Sequence, residues 1–130
     1  MTPSERERRI YQLTDQLRGN YRTKSIYENW KKGYEEFNTQ LGNYSKTVET
    51  ALDNIFAAGE SSRNGGFISG TEILGGESIP NIYRNLELAK NSVSSLNSFC
   101  LRKINEFQKQ INNCDLDIRN IQTELYSLRS

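Results

Sequence analysis

The residue types that most often carry out chemistry are scarce in this sequence. Among 130 residues there is no histidine, so the commonest general base and metal ligand of proteins is missing. The two cysteines, Cys100 and Cys114, would lie about 21 Å apart along a helix, which is far beyond disulfide reach. No other cysteine or histidine completes a zinc-type ligand set. We therefore expect two reduced thiols that serve as small apolar side chains, no bound metal and no cofactor.

The acidic and glycine-containing motifs do not form a catalytic pattern either. Asp115 and Asp117 are separated by one residue, and Glu35 and Glu36 are adjacent. Helix neighbours at these spacings point in different directions, so neither pair can act jointly on one substrate. The segment 42–47 contains the Gly, Lys and Thr of a phosphate-binding loop, but it lacks the leading glycine and the preceding strand. We therefore predict that the protein is not an enzyme.

The charge of the chain narrows the choice of partners. There are 17 Lys and Arg against 16 Asp and Glu, and the basic cluster at Arg6, Arg8 and Arg9 is interleaved with Glu5 and Glu7. Nucleic-acid-binding proteins usually carry a clear basic excess, so we expect no nucleic acid partner. No apolar stretch reaches the roughly 20 residues that span a bilayer, and the first residues lack the apolar core of a secretory signal. We expect a cytoplasmic protein with no membrane insertion.

Glycine and proline divide the chain into two long segments. Six of the nine glycines lie between residues 59 and 76, which predicts a Gly-rich connection over about 59–78. The segment before it has no proline after Pro3, and the segment after it has no glycine. This distribution predicts two long helices, over about 3–58 and about 79–128.

Each predicted helix opens with a recognisable start signal. At the first helix, Thr2 is suited to cap the end, Pro3 to occupy the first position and Glu5 to complete a capping box. At the second helix, Ser78 precedes Pro80 in a similar arrangement. Both signals agree with the starts that the glycine distribution indicates.

Apolar residues of the first helix follow a seven-residue repeat, the pattern of a coiled coil. Upstream, the same stripe includes Ile10, Leu13 and Leu17. Asn20 and Lys24 interrupt it beside Gly19, so we expect a shift of register and a weak point or bend there. The predicted seam consists of Tyr27, Tyr34, Leu41, Val48 and Ile55, with Trp30, Phe37, Tyr44 and Ala51 at the alternate positions.

The second helix carries a longer apolar repeat. Its alternate positions change phase at Leu96, Cys100 and Ile104, where two successive steps of four residues predict a local unwinding of the supercoil. The predicted seam consists of Ile79, Leu86, Val93, Cys100, Phe107, Cys114, Ile121 and Leu128, with Ile82, Ala89, Leu96, Ile104, Ile111, Ile118 and Leu125 at the alternate positions.

The two stripes match in length, which predicts that the helices fold back on each other. Each stripe runs about 70 Å at the rise of an α-helix. We predict a single all-α domain, residues 1–130, in which two long helices form an antiparallel, coiled-coil-like hairpin. In this arrangement the numbers of facing residues sum to about 135, so that Trp30, for example, faces Ile104. Such a hairpin buries only one stripe per helix, so its core is small and a partner helps to complete it.

Apolar residues outside the two stripes form the candidate partner interface. The alternative is that these residues flank the intramolecular seam and widen it. Charge is distributed unevenly, with eight Lys and Arg against four Asp and Glu in residues 1–32 and two against seven in residues 33–78, which we interpret as ordinary solvation of helices. The candidate interface residues are Tyr11, Tyr21, Ile26, Trp30, Phe67, Tyr83, Phe99, Leu101, Leu116 and Tyr126.

The layout of two long helices joined by a Gly-rich bend resembles the Trp-X-Gly superfamily of type VII secretion proteins. It is most similar to the small helical proteins that accompany LXG toxins in Gram-positive bacteria. At the bend, the residues from Phe67 to Gly70 stand in the place of the Trp-X-Gly motif. The family's Tyr-X-X-X-Asp/Glu export signal is absent after the second helix, since Tyr126 is followed four residues later by Ser130. This departure favours the helper branch over an independently secreted substrate.

The resemblance implies a hairpin that pairs with a second helical hairpin, often the N-terminal helical domain of the toxin, in a four-helix or longer bundle. The first hypothesis is therefore a non-enzymatic helper or targeting chaperone that binds such a toxin domain, promotes its export and leaves the cytoplasm with it. The second hypothesis is a structural coiled-coil subunit or homodimer. The third is an adaptor or chaperone of another secretion system.

Overall fold

The protein folds as two long α-helices that pack against each other in an antiparallel hairpin. The computed structural model describes residues 1–64 and 78–130, with side chains described for residues 1–57 and 81–130. Within these residues α1 spans Pro3–Asn64, α2 spans Ser78–Arg129, and no strand is present. The predicted all-α hairpin is therefore confirmed. Neither helix, over its described residues, has an apolar stretch long enough to cross a membrane.

The first turn of α1 forms the predicted capping box. The Thr2 hydroxyl accepts a hydrogen bond from the Glu5 backbone N–H at 3.2 Å, and the Glu5 carboxylate accepts one from the Thr2 backbone N–H at 3.3 Å. This reciprocal pair satisfies backbone donors that have no partner inside the helix. Pro3 is the first helical residue, and its lack of an N–H costs nothing at that position.

Both helices are slightly longer than the sequence pattern predicts. α1 continues to Asn64 instead of ending near residue 58, and α2 begins at Ser78. A glycine such as Gly59 weakens a helix interior by about 1 kcal/mol relative to alanine but does not by itself end the helix. α1 also runs through Gly19 without interruption. The predicted connection over 59–78 therefore has helical residues at both ends, and its residues 65–77 lie outside the described part.

The buried stripe of α1 differs from the predicted seam in one of its two rows. We label the rows a and d, as in a coiled-coil heptad. The predicted row through Leu41 and Val48 is correct, whereas Trp30, Phe37 and Tyr44 of the other predicted row are exposed. The buried or half-buried residues are Ile10, Leu17, Lys24, Lys31, Asn38, Ser45 and Leu52 in row a, and Leu13, Asn20, Tyr27, Tyr34, Leu41, Val48 and Ile55 in row d.

This stripe keeps one register along α1. From Ile10 to Ile55 the steps between buried positions alternate between three and four residues throughout, so the predicted shift beside Gly19 is wrong. A helix keeps one face against its neighbour only if the buried positions follow one continuous repeat. Lys24 and Lys31 fit this face because the stem of a lysine packs against apolar neighbours while its ammonium group reaches outward. Their side chains are only 29% and 28% exposed.

The buried stripe of α2 follows the predicted d row over the described residues, but two residues of the predicted alternate row, Ile82 and Leu96, are exposed. Asn97 is half-buried, whereas Leu96 is 42% exposed. The two four-residue steps therefore fall at Ala89, Val93 and Asn97, one heptad earlier than predicted. The described seam of α2 contains Leu86, Val93, Cys100, Phe107, Cys114, Ile121 and Leu128 in row d, and Asn97, Ile104, Ile111, Ile118 and Leu125 in row a.

The chain forms two compact units, each with its own part of α1 and α2. The terminal unit consists of Met1–Glu35 and Leu101–Ser130, and the inner unit consists of Glu36–Cys100. The buried apolar side chains of the terminal unit are Leu13, Ile111, Cys114, Ile118, Ile121 and Leu125. Those of the inner unit, among the described residues, are Leu41, Val48, Leu52, Val93 and Cys100.

Helix pairing in the terminal unit has the predicted direction and approximate register. Arg9 contacts Glu124, and Tyr27 contacts Phe107, so the numbers of the facing residues sum to about 135 in both pairs. The Trp30 indole stacks on Phe107, with 6.3 Å between the ring centroids, three residues from the predicted partner Ile104 and within the same approximate register. At the chain ends, Leu13, Ile121 and Leu125 form a buried cluster against which Ile10, Leu17 and Leu128 pack.

Candidate helix-binding surface

All predicted interface residues in the described part of the chain are exposed. Their exposed fractions range from 38% for Tyr83 to 79% for Tyr126. Tyr21 and Trp30 also contact Gln122 and Phe107 of the opposite helix, so these two side chains flank the seam, as the alternative interpretation has it. Phe67 lies outside the described residues. Tyr83 and Phe99 belong to the inner unit, and the terminal unit contains Tyr11, Tyr21, Ile26, Trp30, Leu101, Leu116 and Tyr126.

Two contacts in the terminal unit define the sides of the seam. Arg9 and Glu124 each precede an a position, which makes them g positions, and their side chains meet at 2.8 Å. Tyr21 and Gln122 each follow a d position, which makes them e positions, and the Gln122 amide donates a hydrogen bond to the Tyr21 hydroxyl at 3.1 Å. In an antiparallel pair, therefore, the g positions of both helices border one side of the seam and the e positions border the other.

Ion pairs between the helices line the seam of the terminal unit. The Arg9 guanidinium donates two hydrogen bonds to the Glu124 carboxylate, at 2.8 and 3.1 Å. These hydrogen bonds lower the pKa of Glu124 and raise the pKa of Arg9. Lys24 Nζ lies 2.6 Å from an Asp115 carboxylate oxygen, and this hydrogen bond raises the pKa of Lys24. Exposed pairs of this kind contribute little to stability, but they favour one register over others.

An aromatic cluster around Phe107 also joins the helices of the terminal unit. The Phe107 ring lies 5.9 Å from Tyr27, 6.3 Å from Trp30 and 5.8 Å from Tyr34, measured between ring centroids. Aromatic pairs at these separations stabilise each other beyond the area that they bury. Trp30 nevertheless remains 57% exposed, so most of its indole is accessible to a partner.

The inner unit carries a surface that the sequence prediction assigned to the core. Phe37 and Tyr44 on α1 and Ile82 and Leu96 on α2 are exposed apolar side chains at g positions. The next positions outward, labelled c, are mostly small or polar. We call the g and c positions of the inner unit the uncharged face, because none of its described side chains is charged in a chain with 25% charged residues. The uncharged face consists of Phe37, Gln40, Tyr44, Thr47, Ala51, Asn54, Ile82, Asn85, Ala89, Ser92, Leu96 and Phe99, of which Ala51 and Ala89 are half-buried where the face borders the seam.

A signal that separates this face from the core is present in the sequence. The row through Phe37 and Tyr44 is more apolar than the row through Asn38 and Ser45, and the prediction chose it for that reason. Only the second row continues from Ile10 in steps of seven residues. Continuity of the repeat, and not the number of apolar residues in it, identifies the buried row of α1.

The other side of the inner unit is charged. Its e positions and the neighbouring b positions include Lys46, Glu49, Asp53, Arg84 and Glu87. At the edge of the seam, a hydrogen bond between Tyr83 and the Glu87 carboxylate raises the pKa of the tyrosine. The negative charge of Asp53, on the opposite helix, contributes to the same shift. The inner unit therefore has one charged side and one uncharged face.

Nothing in the described side chains assembles a site for catalysis by metal ions or thiolates. No group of three or more Cys, Asp or Glu side chains in the described part could hold a metal ion. Cys100 and Cys114 are buried and unpaired with each other. Burial, with a contribution from Asp117, raises the pKa of the Cys114 thiol, so the thiol is protonated and poorly nucleophilic at neutral pH.

Taken together, fold and surface define a class of molecule, a two-helix hairpin whose candidate site is an exposed, partly apolar helix flank. In comparisons with known proteins, no family model, curated protein or solved structure matches the chain.

Proposed function

We propose that the protein is a non-enzymatic helper that binds a helical partner through apolar side chains exposed on its own helices. The observation that carries this proposal is the uncharged face. Exposed apolar side chains repeated every seven residues match the ridges and grooves of another helix. Covering them removes apolar surface from water, which stabilises an assembly by about 25 cal/mol per Å².

The first partner to test is the N-terminal helical domain of an LXG-type toxin. This choice follows from the resemblance of the two-helix layout to the small helpers of type VII secretion. The helper would bind the toxin domain in the cytoplasm, keep its apolar helix faces from aggregating and accompany it to the secretion machine. Tyr11, Tyr21, Trp30 and Tyr126 in the terminal unit supply further contacts for a long partner.

Co-expression tests this proposal directly. The full chain is produced with the helical N-terminal domain encoded by an adjacent LXG gene, and the mixture is analysed by size-exclusion chromatography with light scattering. We expect one complex of fixed stoichiometry, with a higher melting temperature than either protein alone because binding stabilises the folded states. An unrelated helical hairpin of similar size is the matched control and should elute separately.

The alternative function, a structural homodimer, gives a different result in the same experiment. A chain that forms a stable, cooperatively unfolding homodimer and ignores the toxin domain would contradict the helper proposal. Sedimentation of the chain alone over a range of concentrations measures this dimerisation independently of any partner.

A further inference from the structure

We propose that the uncharged face accepts a single helix of the partner, lying lengthwise between α1 and α2, so that the inner unit becomes a three-helix bundle. This assignment depends on the proposed function, because it names the element of the partner that the inner unit contacts. It also fixes the chemistry of that element as an amphipathic helix whose contacting stripe carries no charge.

The width of the apolar surface indicates one helix. Apolar side chains of the uncharged face concentrate at the g positions, next to the groove between the helices, as at Tyr44 and Leu96. The c positions further out are Gln40, Thr47, Asn54, Asn85 and Ser92, with Phe99 as the apolar exception. A partner of two helices side by side would cover the c positions as well and would favour apolar residues there. One helix placed over the g rows covers the apolar side chains and leaves the polar c positions at the rim.

The length and spacing of the face set the length of the partner helix. From Phe37 to Asn54 the face of α1 covers about 26 Å, or about five helical turns. Phe37, Tyr44 and Ala51 are seven residues apart, so their side chains repeat at about 10 Å along the helix. A partner helix of about 18 residues with apolar positions in a heptad repeat matches both the length and the spacing.

Because the described part of the face carries no charge, we expect the contacting stripe of the partner helix to be uncharged as well. An unpaired charge that becomes buried in an interface is strongly unfavourable. The described g and c positions of the inner unit hold no counter-ion on either helix, so a Lys or Glu in the contacting stripe of the partner would lose its hydration without compensation. The ion-paired g positions of the terminal unit, Arg9 and Glu124, lack this selectivity because they carry charges of both signs.

The exposed area is also of the right size. The exposed parts of the four large side chains at the g positions, Phe37, Tyr44, Ile82 and Leu96, amount to about 350 Å² for residues of this size. The largest apolar patch of a soluble monomer covers about 300 to 600 Å² and is often a functional site. The same area is less than half of the about 800 Å² that each partner buries in a standard interface, which leaves a polar rim around one docked helix.

Site-specific photo-crosslinking in the cells that encode the protein tests the assignment. The photo-reactive residue p-benzoylphenylalanine replaces Tyr44 or Leu96 on the uncharged face, and Phe56 or Leu88 as matched controls. The two controls are exposed apolar residues of the same unit at e and f positions. Peptide mapping of the products identifies the crosslinked residues. We expect positions 44 and 96 to mark one helical segment of a second protein, on a stripe without charged residues, and positions 56 and 88 not to mark that segment.

Each other outcome contradicts a defined part of the argument. Crosslinks from positions 44 and 96 to two antiparallel segments of one partner, or to a second copy of this chain, would overturn the single-helix assignment. Crosslinks to a partner helix only from positions 56 and 88, or from Tyr11 and Tyr126, would also overturn it but would leave the proposed function standing. Failure of all these positions to crosslink a helical protein would contradict both.

Charge substitutions give a second, independent measurement. With the photo-reactive residue at position 44, Leu96→Glu should lower the crosslink yield at least tenfold, because the new carboxylate is buried by the docked helix. Leu88→Glu, which adds the same charge away from the face, should leave the yield unchanged. Circular dichroism melting of both variants confirms that the free hairpin remains folded. Equal yields from the two variants would overturn the assignment.

Discussion

The two units of this hairpin share the same heptad layout, but they differ in the residue types that flank the seam at the g and e positions. In the terminal unit, Arg9 and Glu124 close the g side with an ion pair, and Tyr21 bonds Gln122 on the e side. In the inner unit the corresponding g positions hold Tyr44, Leu96 and other apolar or small residues. Beside the seam, the terminal unit therefore joins its helices with polar contacts and exposes one large apolar side chain at its g positions, Trp30, whereas the described g positions of the inner unit expose four.

This difference separates the requirements of folding from those of binding. A two-helix hairpin needs only its a and d rows for its own core, and both units meet that need with buried Leu, Ile, Val and Cys side chains. The residues beside the seam are then free to serve other purposes. Opposite charges there favour the correct register, whereas uncharged apolar residues favour a further helix.

The largest expected effect comes from placing a charge in the inner seam. Leu41→Asp puts a carboxylate at a buried position of the apolar seam and should cost several kcal/mol of the free energy of unfolding. Tyr44→Asp, three residues further on, adds the same charge at an exposed position and should cost less than about 1 kcal/mol. Urea unfolding followed by circular dichroism measures both. Comparable losses in the free energy of unfolding would show that Tyr44 is buried in the seam like Leu41, which would contradict the assignment of the two rows.

A cavity series compares the cores of the two units directly. Leu13→Ala, at a side chain only 1% exposed, should cost about 3 kcal/mol. Leu52→Ala in the inner unit removes the same atoms from a less enclosed position and should cost about 2 kcal/mol. Tyr11→Ala, on the surface of the terminal unit, should change stability by less than about 0.5 kcal/mol. A larger loss of unfolding free energy for Leu52→Ala than for Leu13→Ala would show that the core of the inner unit is the more tightly packed of the two.

The polar row of α1 provides a stabilising substitution. The buried Oδ1 atom of Asn38 has no hydrogen-bond partner among the described residues, so its desolvation is uncompensated. Asn38→Leu in the inner unit should therefore raise the free energy of unfolding by about 1 to 2 kcal/mol. Lys24→Leu is the matched change in the terminal unit and should give no gain, because it removes the ion pair with Asp115. Equal gains in thermal stability would show that the two polar positions are equivalent.

The smallest expected effect concerns acid and the Arg9–Glu124 pair. The pKa of Glu124 is lower in the folded chain than its ordinary value, so the unfolded chain takes up a proton first as the pH falls. The contribution of the pair is therefore present above about pH 4.5 and is lost as the pH falls through the lowered pKa. Glu124→Gln should flatten that part of the stability profile, measured as melting temperature against pH. An equal slope of melting temperature against pH in the unsubstituted chain and in Glu124→Gln would show that this pair does not contribute to acid sensitivity.

The sequence predicts the fold because two strong local signals agree. The capping box at Thr2 and Glu5 and the cluster of glycines after residue 58 set the helices to within a few residues. The repeat from Val93 to Leu128 then fixes one face of α2. Antiparallel pairing in the terminal unit follows, because a connection of about 20 residues is too short to return the chain along a stripe of about 70 Å and begin a parallel helix unless it is fully extended.

The candidate surface is harder to predict because two adjacent rows of α1 compete for the core. Counting apolar residues favours the row with Trp30, Phe37 and Tyr44, since a polar residue in a seam is usually unfavourable. Lys24 and Lys31 are tolerated in the seam because their aliphatic stems pack against it. Their ammonium groups reach out of the seam and contact Asp115 and Gln108. These partners lie on the other helix, so the compensation becomes visible only in the folded hairpin.

The polar a row of α1 also matters while the chain is being synthesised. α1 leaves the ribosome before α2, and during that interval its d row has no partner. Self-association of nascent α1 chains would bring the ammonium groups of Lys24 and Lys31 toward an apolar seam without Asp115 or Gln108, which belong to the helix not yet made. The lysines of this row therefore favour pairing of α1 with α2 over pairing of α1 with a second copy of itself.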